Sequence, residues 1–338
     1  MGRFGPCLHN LNTAPSVGTT PVHSGAMHDP TAATDQPLTT GAPAERSEGS
    51  ADPNVTRGAA FIRPLVISAP FGNYVQPPGT TPTLGTFTRL RRTGRLWRIL
   101  RTVRYYRRLD AWVNKIGLRN PGIDWFADAC RAGRIDPADK LVSIHGFTND
   151  DWSYLLEKTA AVDPLAIELN ISCPNVGELA WPEDLFQHAV ATQTPVVVKL
   201  PPINYERALA DALHAGVRLF HCCNTLPVAG GGMSGKPLRP LVLNAIERVR
   251  TEEAARRSRG ELHGPITIIA GGGVSSTDDV DRYLDARADR VAIGSSLMHP
   301  RFVRYLRDKH AAHPRLTPLL EHAARRNKQA AAAARPPI

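Results

Sequence analysis

The sequence predicts an α/β protein built as a (β/α)8 TIM barrel, and three observations lead there. Eight short apolar runs recur after residue 62, at 65–68, 83–88, 141–144, 165–171, 195–200, 217–222, 266–270 and 290–293. Their near-continuous hydrophobicity is what a parallel strand buried on both faces requires. Stretches of helical periodicity lie between them, among others at 150–162, 182–192, 204–215, 239–256 and 276–287. Strands alternating with helices over roughly 250 residues match the span of such a barrel. A doubly wound open sheet is the fallback, but no Gly-x-Gly-x-x-Gly turn follows the first strand.

Residues 1–58 are rich in Pro, Thr, Ser, Gly and Ala and carry no periodicity. They are expected to form a disordered or peripheral extension. The barrel is then expected over 59–315 and a C-terminal helix or tail over 316–338, with the alanine-rich run 330–335 fraying. Residues 89–110 interrupt the alternation. Leu96, Ile99, Leu100, Val103 and Tyr106 fall at helical spacing, while Arg92, Arg95, Arg98, Arg101, Arg104 and Arg107 recur every third position. This reads as an inserted basic amphipathic helix. Its roles range from a solvated face packed on the barrel, through a lid or acceptor-docking surface, to contact with acidic lipid or nucleic acid. Farther on, Ser276 or Thr277 marks a helix start ahead of Asp278 and Asp279.

Composition narrows the function classes. With 42% hydrophobic residues, the 338-residue chain can bury a sizeable core. No apolar run approaches the roughly 18 residues of a membrane span, and no charged-then-apolar start suggests a signal peptide. The five cysteines have no Cys-x-x-Cys spacing, so no metal site is expected and a reducing, cytoplasmic setting fits best. Much of the net charge of +10 is local, in the arginines of 89–108 and in Arg325-Arg326, so nucleic-acid binding by the fold as a whole is not expected.

Chemistry in such a fold sits beyond the carboxyl ends of the strands. The stretch 166–175 joins an apolar strand to a polar loop in which Cys173 lies between Asn170 and Asn175. Alone, that pattern is matched by any buried thiol in a Pro-bounded turn. After the last two strands come Gly271-Gly272-Gly273-Val274-Ser275 and Gly294-Ser295-Ser296-Leu297. Backbone amides at glycine turns and helix starts bind phosphate, and barrels use the turns after strands seven and eight for this. Together the two turns point to a phosphate-bearing cofactor. A third cluster, 230–235, follows Asn224-Thr225 and either lets backbone approach a flat ligand or forms a flexible loop tip. Lys199 closes a buried strand, which is costly without a partner. It either snorkels to a carboxylate or faces the site and stabilises negative charge on a reduced flavin.

Residues 62–305 resemble the dihydroorotate dehydrogenase family. The matching pieces are 113–122 (Val-Asn-Lys-Ile-Gly-Leu-Arg-Asn-Pro-Gly), 169–175, 198–202, Asn224-Thr225, 231–235, 270–274 and 293–297. The resemblance implies a (β/α)8 flavoprotein that oxidises dihydroorotate to orotate in pyrimidine biosynthesis with FMN as cofactor. It assigns the pyrimidine to Asn114, Asn170, Asn175 and Asn224, with Ile116, Gly117, Leu118 and Thr225 around it. An asparagine amide suits such a ring because it offers both donor and acceptor without charge. Cys173 takes the catalytic-base position of the soluble class; the C5 proton goes to it while C6 delivers hydride to flavin N5. A thiol's ordinary pKa of about 8.5 makes a thiolate base accessible near neutral pH.

The resemblance further places Lys199 at the flavin N1/O2 edge and Gly272, Gly273, Gly294 and Ser295 at the FMN phosphate. Ala69, Pro70, Gly85, Thr86, Asn170, Gly231 and Gly232 line the rest. Gly85 stands where the soluble class carries a lysine, and 69–73 lacks the substitute lysine of the membrane class. Recognition of the substrate carboxylate therefore falls to Arg89 or Lys115. The other readings are a flavin oxidoreductase acting on another pyrimidine or acid, and an RNA-binding barrel similar in outline to dihydrouridine synthases. The electron acceptor is left open among fumarate, a partner flavoprotein feeding NAD, and a quinone reached through membrane contact at 89–108. The resemblance also implies a homodimer.

Overall fold

The computed structural model describes residues 61–171 and 181–298. The expectations for 1–58, for 316–338, and for Cys173 and Asn175 lie outside these residues. In chain order the strands are β1 (Leu65–Ile67), β2 (Thr81–Phe87), β3 (Arg104–Tyr106), β4 (Ala111–Asn114), β5 (Leu141–Ile144), β6 (Ala166–Leu169), β7 (Val196–Leu200), β8 (Leu219–Cys222), β9 (Leu226–Val228), β10 (Gly231–Gly235), β11 (Thr267–Gly271) and β12 (Arg290–Ile293). The helices are α1 (Arg95–Thr102), α2 (Ile123–Arg131), α3 (Asn149–Ala160), α4 (Leu185–Ala191), α5 (Glu206–His214), α6 (Arg239–Ser258) and α7 (Thr277–Asp285).

Eight parallel strands close into a barrel in the order β1-β12-β11-β8-β7-β6-β5-β2, and they are the eight apolar runs of the sequence. Alternation along the strands sets the layers. Val142, Ile167, Val198, Phe220 and Ile268 face outward into the cluster shared with the helices. Their neighbours Leu141, Ala166, Val197, Leu219 and Ile269 pack with Val66 and Ala292 as an apolar layer inside the barrel. Two residues farther along, the period-2 rule puts Ser143, Glu168, Lys199, His221 and Gly271 in the next inner layer, toward the carboxyl ends. That layer is polar.

Two insertions leave the carboxyl ends of β2 and β8 and meet in a four-stranded antiparallel sheet, β3-β4-β10-β9. The segment 89–110 is therefore not one long helix. Gly94, at φ 81°, starts α1, and Val103, extended at φ −77° and ψ 123°, ends it. Tyr105 and Tyr106 then pair with Trp112 and Ala111, because aromatic residues suit a strand with a partner. Residues 231–235 are strand β10 rather than a flexible loop. Helix α2, absent from the sequence-derived set, is anchored by Phe126, whose ring stacks on Phe87 of β2 at 4.6 Å. The helix starts follow the sequence: Thr148 caps α3 by accepting from Asp151 N, and Ser276 with Asp279 forms a capping box on α7.

Candidate functional site

A cavity opens at the carboxyl end of the barrel, between the polar inner layer and the antiparallel sheet. The strand-one turn contributes Ala69 and Pro70, and β2 contributes Gly85 and Thr86. Asn114, Ile116, Gly117 and Leu118 line it from the end of β4. Asn170, Lys199, Asn224 and Thr225 come from β6, β7 and β8, and Gly272, Gly273, Gly294 and Ser295 from the last two strands. Gly231 and Gly232 are the exceptions. They are buried in β10, and the side chain of that strand that reaches the cavity is Ser234. Gly231 lies on the opposite face from Ser234, and Gly232, on the same face, has no side chain to extend.

The floor is a buried charged cluster. Lys199 Nζ lies 3.5 Å from Glu168 Oε1, and Glu168 Oε2 is 2.7 Å from His221 Nδ1. Glu168 is fully buried. Burial alone pushes its carboxyl up. The Lys199 ammonium and the hydrogen bonds from His221 and Ser143 outweigh that and hold it down at about 2. His221 moves below its ordinary value because burial, and then Lys199, penalise a second cation more than Glu168 rewards it. A neutral His221 must carry its proton on Nδ1, since a carboxylate only accepts. Its Nε2 faces Gly271, where an added Cβ would sit only 2.6 Å away.

A hydrogen-bonded chain runs along the wall. Ser143 and Thr86 share a hydrogen bond between their hydroxyls at 3.0 Å. Thr86 Oγ1 accepts in turn from Asn170 Nδ2 at 3.0 Å, and Asn170 Oδ1 accepts from Asn224 Nδ2 at 2.8 Å. The two asparagine amides thus donate in one direction along the chain. His145 adds a second hold, its Nδ1–H donating to the Asn170 carbonyl at 2.7 Å. Burial lowers the pKa of His145 and keeps that ring neutral. Asn73 clamps the β2 edge, donating to the Gly85 carbonyl at 2.8 Å and accepting from its amide at 3.1 Å.

The opposite end is lined by glycine turns. Gly273, at φ 69°, turns where a Cβ would lie 2.7 Å from the Gly235 carbonyl, so only glycine fits. Tyr283 donates to the Gly272 carbonyl, and Arg239 donates from Nε to the Gly273 carbonyl at 2.9 Å. The start of α7 is already taken: Asp279 accepts the amides of Ser275 and Ser276 at 2.9 and 3.1 Å. The turns at 272–273 and 294–296, rather than the helix start, line the cavity here.

Neither cation expected at the substrate carboxylate reaches the cavity. Arg89 pairs with Asp151 at 3.6 Å and stacks on Tyr154, because the chain leaves β2 toward α3 before it turns. Lys115 points to solvent. Arg95 and Arg119 line the cavity instead, and the buried Nε of Arg119 has no hydrogen-bond partner. Cys223 also reaches the cavity, but burial pushes its thiol well up, and that of Cys222 to about 12. Neither is a base near neutral pH. The sequence reading passed over Glu168 and His221. The available signal was a charged residue inside an apolar strand, on the same alternate face as Lys199. Among the described residues no cluster of His, Cys, Asp or Glu has the makings of a metal site.

The dihydroorotate dehydrogenase family model matches residues 81–305, which contain seven of the eight barrel strands and most of this cavity. The chain belongs to the dihydroorotate dehydrogenase family. Members of this family are oxidoreductases acting on CH–CH donors. The chain is 30% identical over 221 residues to the dihydroorotate dehydrogenase B (NAD(+)) catalytic subunit of Oceanobacillus iheyensis, covering 56% of this chain and 68% of that one. It is 35% identical over 211 residues to the subunit of the same name from Halalkalibacterium halodurans, covering 54% and 66%. The chain thus spans about two thirds of the length of these relatives. A dihydroorotate dehydrogenase crystal structure from Eimeria tenella, ligand-free, shares the fold at a TM-score of 0.59 and 17% identity, over 77% of this chain and 87% of that one.

Proposed function

We propose that this dihydroorotate dehydrogenase family member oxidises dihydroorotate to orotate with FMN as its cofactor, in pyrimidine biosynthesis. The observation that carries the reading is the pairing, across one cavity, of a glycine-turn anion cradle with a buried lysine and two pre-oriented asparagines. The residues fit the cofactor. The glycine turns at 272–273 and 294–296 would hold its phosphate, and the Lys199 ammonium, paired with Glu168, would stabilise negative charge on its reduced form. When bound, FMN supplies the two-electron acceptor for the hydride leaving C6 of the substrate.

The chain's own residues do the rest. Asn170 and Asn224, with Asn114 from the lip and Asn175, hydrogen-bond the pyrimidine edge and fix its plane. Dihydroorotate is an anion, and Arg119 supports its recognition, since a buried guanidinium N–H without a partner is costly until a ligand accepts from it. Arg95 adds positive charge at the same lip. Cys173 takes the C5 proton. As general base its loss should cost about 10²-fold or more in turnover.

Anaerobic titration of the purified protein with dihydroorotate tests the reading. Yellow protein that bleaches with one equivalent supports it. Colourless protein that refuses added FMN, or bound flavin that stays oxidised, ends it. Cys173→Ala should keep the flavin and lose turnover, and Cys173→Ser should retain activity that rises with pH. A flat pH profile in the serine variant removes proton abstraction from that residue.

A further inference from the structure

The insertion leaves part of its apolar arc in solvent. Within 89–110 there are nine arginines and one acid, Asp110. On α1 the positions of Leu96, Ile99 and Leu100 share one arc with Val103 just beyond it. Trp97 lies at its edge, and Arg95, Arg98 and Arg101 take the opposite arc. A helix of a soluble barrel buries its apolar arc. Here no residue of α1 is buried, and Leu96, Trp97 and Leu100 are 72%, 64% and 68% exposed beside the exposed Arg101, while Arg95, Arg98 and Ile99 are partly covered. Tyr105, Tyr106 and Leu109 extend the exposed apolar surface across β3. Large apolar side chains left exposed together on one short segment mark an interaction site.

Charge selects the occupant. A second copy of this chain would bring arginine against arginine. The one acid in the segment is engaged, Asp110 accepting from Tyr105 Oη at 2.8 Å and pairing with Lys236 at 3.2 Å. Nucleic acid would satisfy the arginines but leave the leucines and Trp97 in water. A bilayer surface with anionic headgroups satisfies both, taking the apolar arc at its acyl boundary and the guanidinium groups at its phosphates. Among the described residues no helix is long and apolar enough to cross a membrane, so contact would be along the surface.

We propose that α1 and β3 form a docking face for an anionic lipid surface, with Leu96, Trp97 and Leu100 at the acyl boundary. Arg95 and Val103 of the same segment line the cavity, so the docking face lies beside it. The proposal does not depend on the flavin reading.

Sedimentation of the full chain with vesicles tests it directly. Equimolar phosphatidylglycerol and phosphatidylcholine should bind the protein, and pure phosphatidylcholine should not. Trp97 emission should shift to the blue on binding, a change absent in Trp97→Phe. Leu96→Ser/Leu100→Ser and Arg98→Glu/Arg101→Glu should each weaken binding on the order of 10-fold or more, with the melting midpoint unchanged. Four results overturn the proposal. They are no preference for the anionic vesicles, binding that survives both double variants, a concentration-dependent dimer that the leucine pair abolishes, and an acidic protein or oligonucleotide that binds this face while vesicles do not.

Discussion

The inner layer of the barrel and the face of α1 and β3 invert the ordinary rule in opposite directions. In the barrel, Glu168, Lys199 and His221 are charged or titratable groups in full burial. On the insertion, Leu96, Trp97 and Leu100 are apolar groups in water. Both arrangements cost stability, but they are held differently. The buried cluster is held within the fold, its anion paired with the Lys199 ammonium at one oxygen and hydrogen-bonded by His221 at the other. The exposed patch has nothing of its own chain among the described residues covering it, and so invites a partner. A polar group inside signals chemistry; an apolar group outside signals association.

The largest expected effect comes from breaking the closed cluster. Glu168→Gln leaves the Lys199 ammonium without its anion and should cost on the order of 3 kcal/mol, read as a lowered denaturant midpoint. Lys199→Met in the same chain should recover part of that loss. Additive losses in the double variant would show that the two groups do not interact.

Acid acts on the same cluster more gradually. His221 is neutral in the fold, while in the unfolded chain it takes a proton near 6.5. The unfolded state therefore binds the proton first, and stability falls as pH drops below about 6.5. Glu168 has its pKa depressed from 4.5 to about 2, so its contribution is full above 4.5 and is lost between those values. Melting midpoints should be level above neutral pH, decline below it, and drop more steeply under 4.5. A midpoint that rises on acidification would mean that His221 is charged in the fold.

At the cavity lip the effect moves from stability to binding. Arg119→Gln should raise KM for dihydroorotate by about 10-fold or more, with kcat little changed, as loss of a charge-assisted hydrogen bond predicts. An unchanged KM would leave Arg95 as the carboxylate's cation. On the insertion, the stability change should be the smallest of all. Leu96→Ser/Leu100→Ser should leave the melting midpoint nearly where it was, because exposed side chains far from packed features rarely shift stability by more than about 0.5 kcal/mol. A large drop would mean that the patch is packed in solution.

The eight strands were legible because a strand buried on both faces needs an unbroken apolar run, and such runs are local. The glycine turns after β11 and β12 were legible for a similar reason, since glycine repeated at a strand end marks backbone exposed to a ligand. Glu168 was not legible as part of the site. Within 166–169 it interrupts an apolar run by one residue, and nothing local says that Lys199 and His221 stand on the same inner level. The cavity's arginines were misassigned for a related reason. Arg89, Arg95, Lys115 and Arg119 look interchangeable until the fold sets Arg89 against Asp151, Lys115 in solvent, and Arg95 and Arg119 at the cavity. Residues 89–110 kept a helical period in sequence, but Gly94 and the β3–β4 pairing cut the helix to 95–102.

By itself, then, the sequence determined the barrel's strands, most of the residues at their carboxyl ends and the family. Each of these depends on periodicity or on motifs a few residues long. The tertiary structure decided which charges share the buried layer, which guanidinium lines the cavity and which way the apolar arc of α1 points. These follow from register and pairing between segments far apart in the chain, where contact energies are set by neighbours that no local window contains.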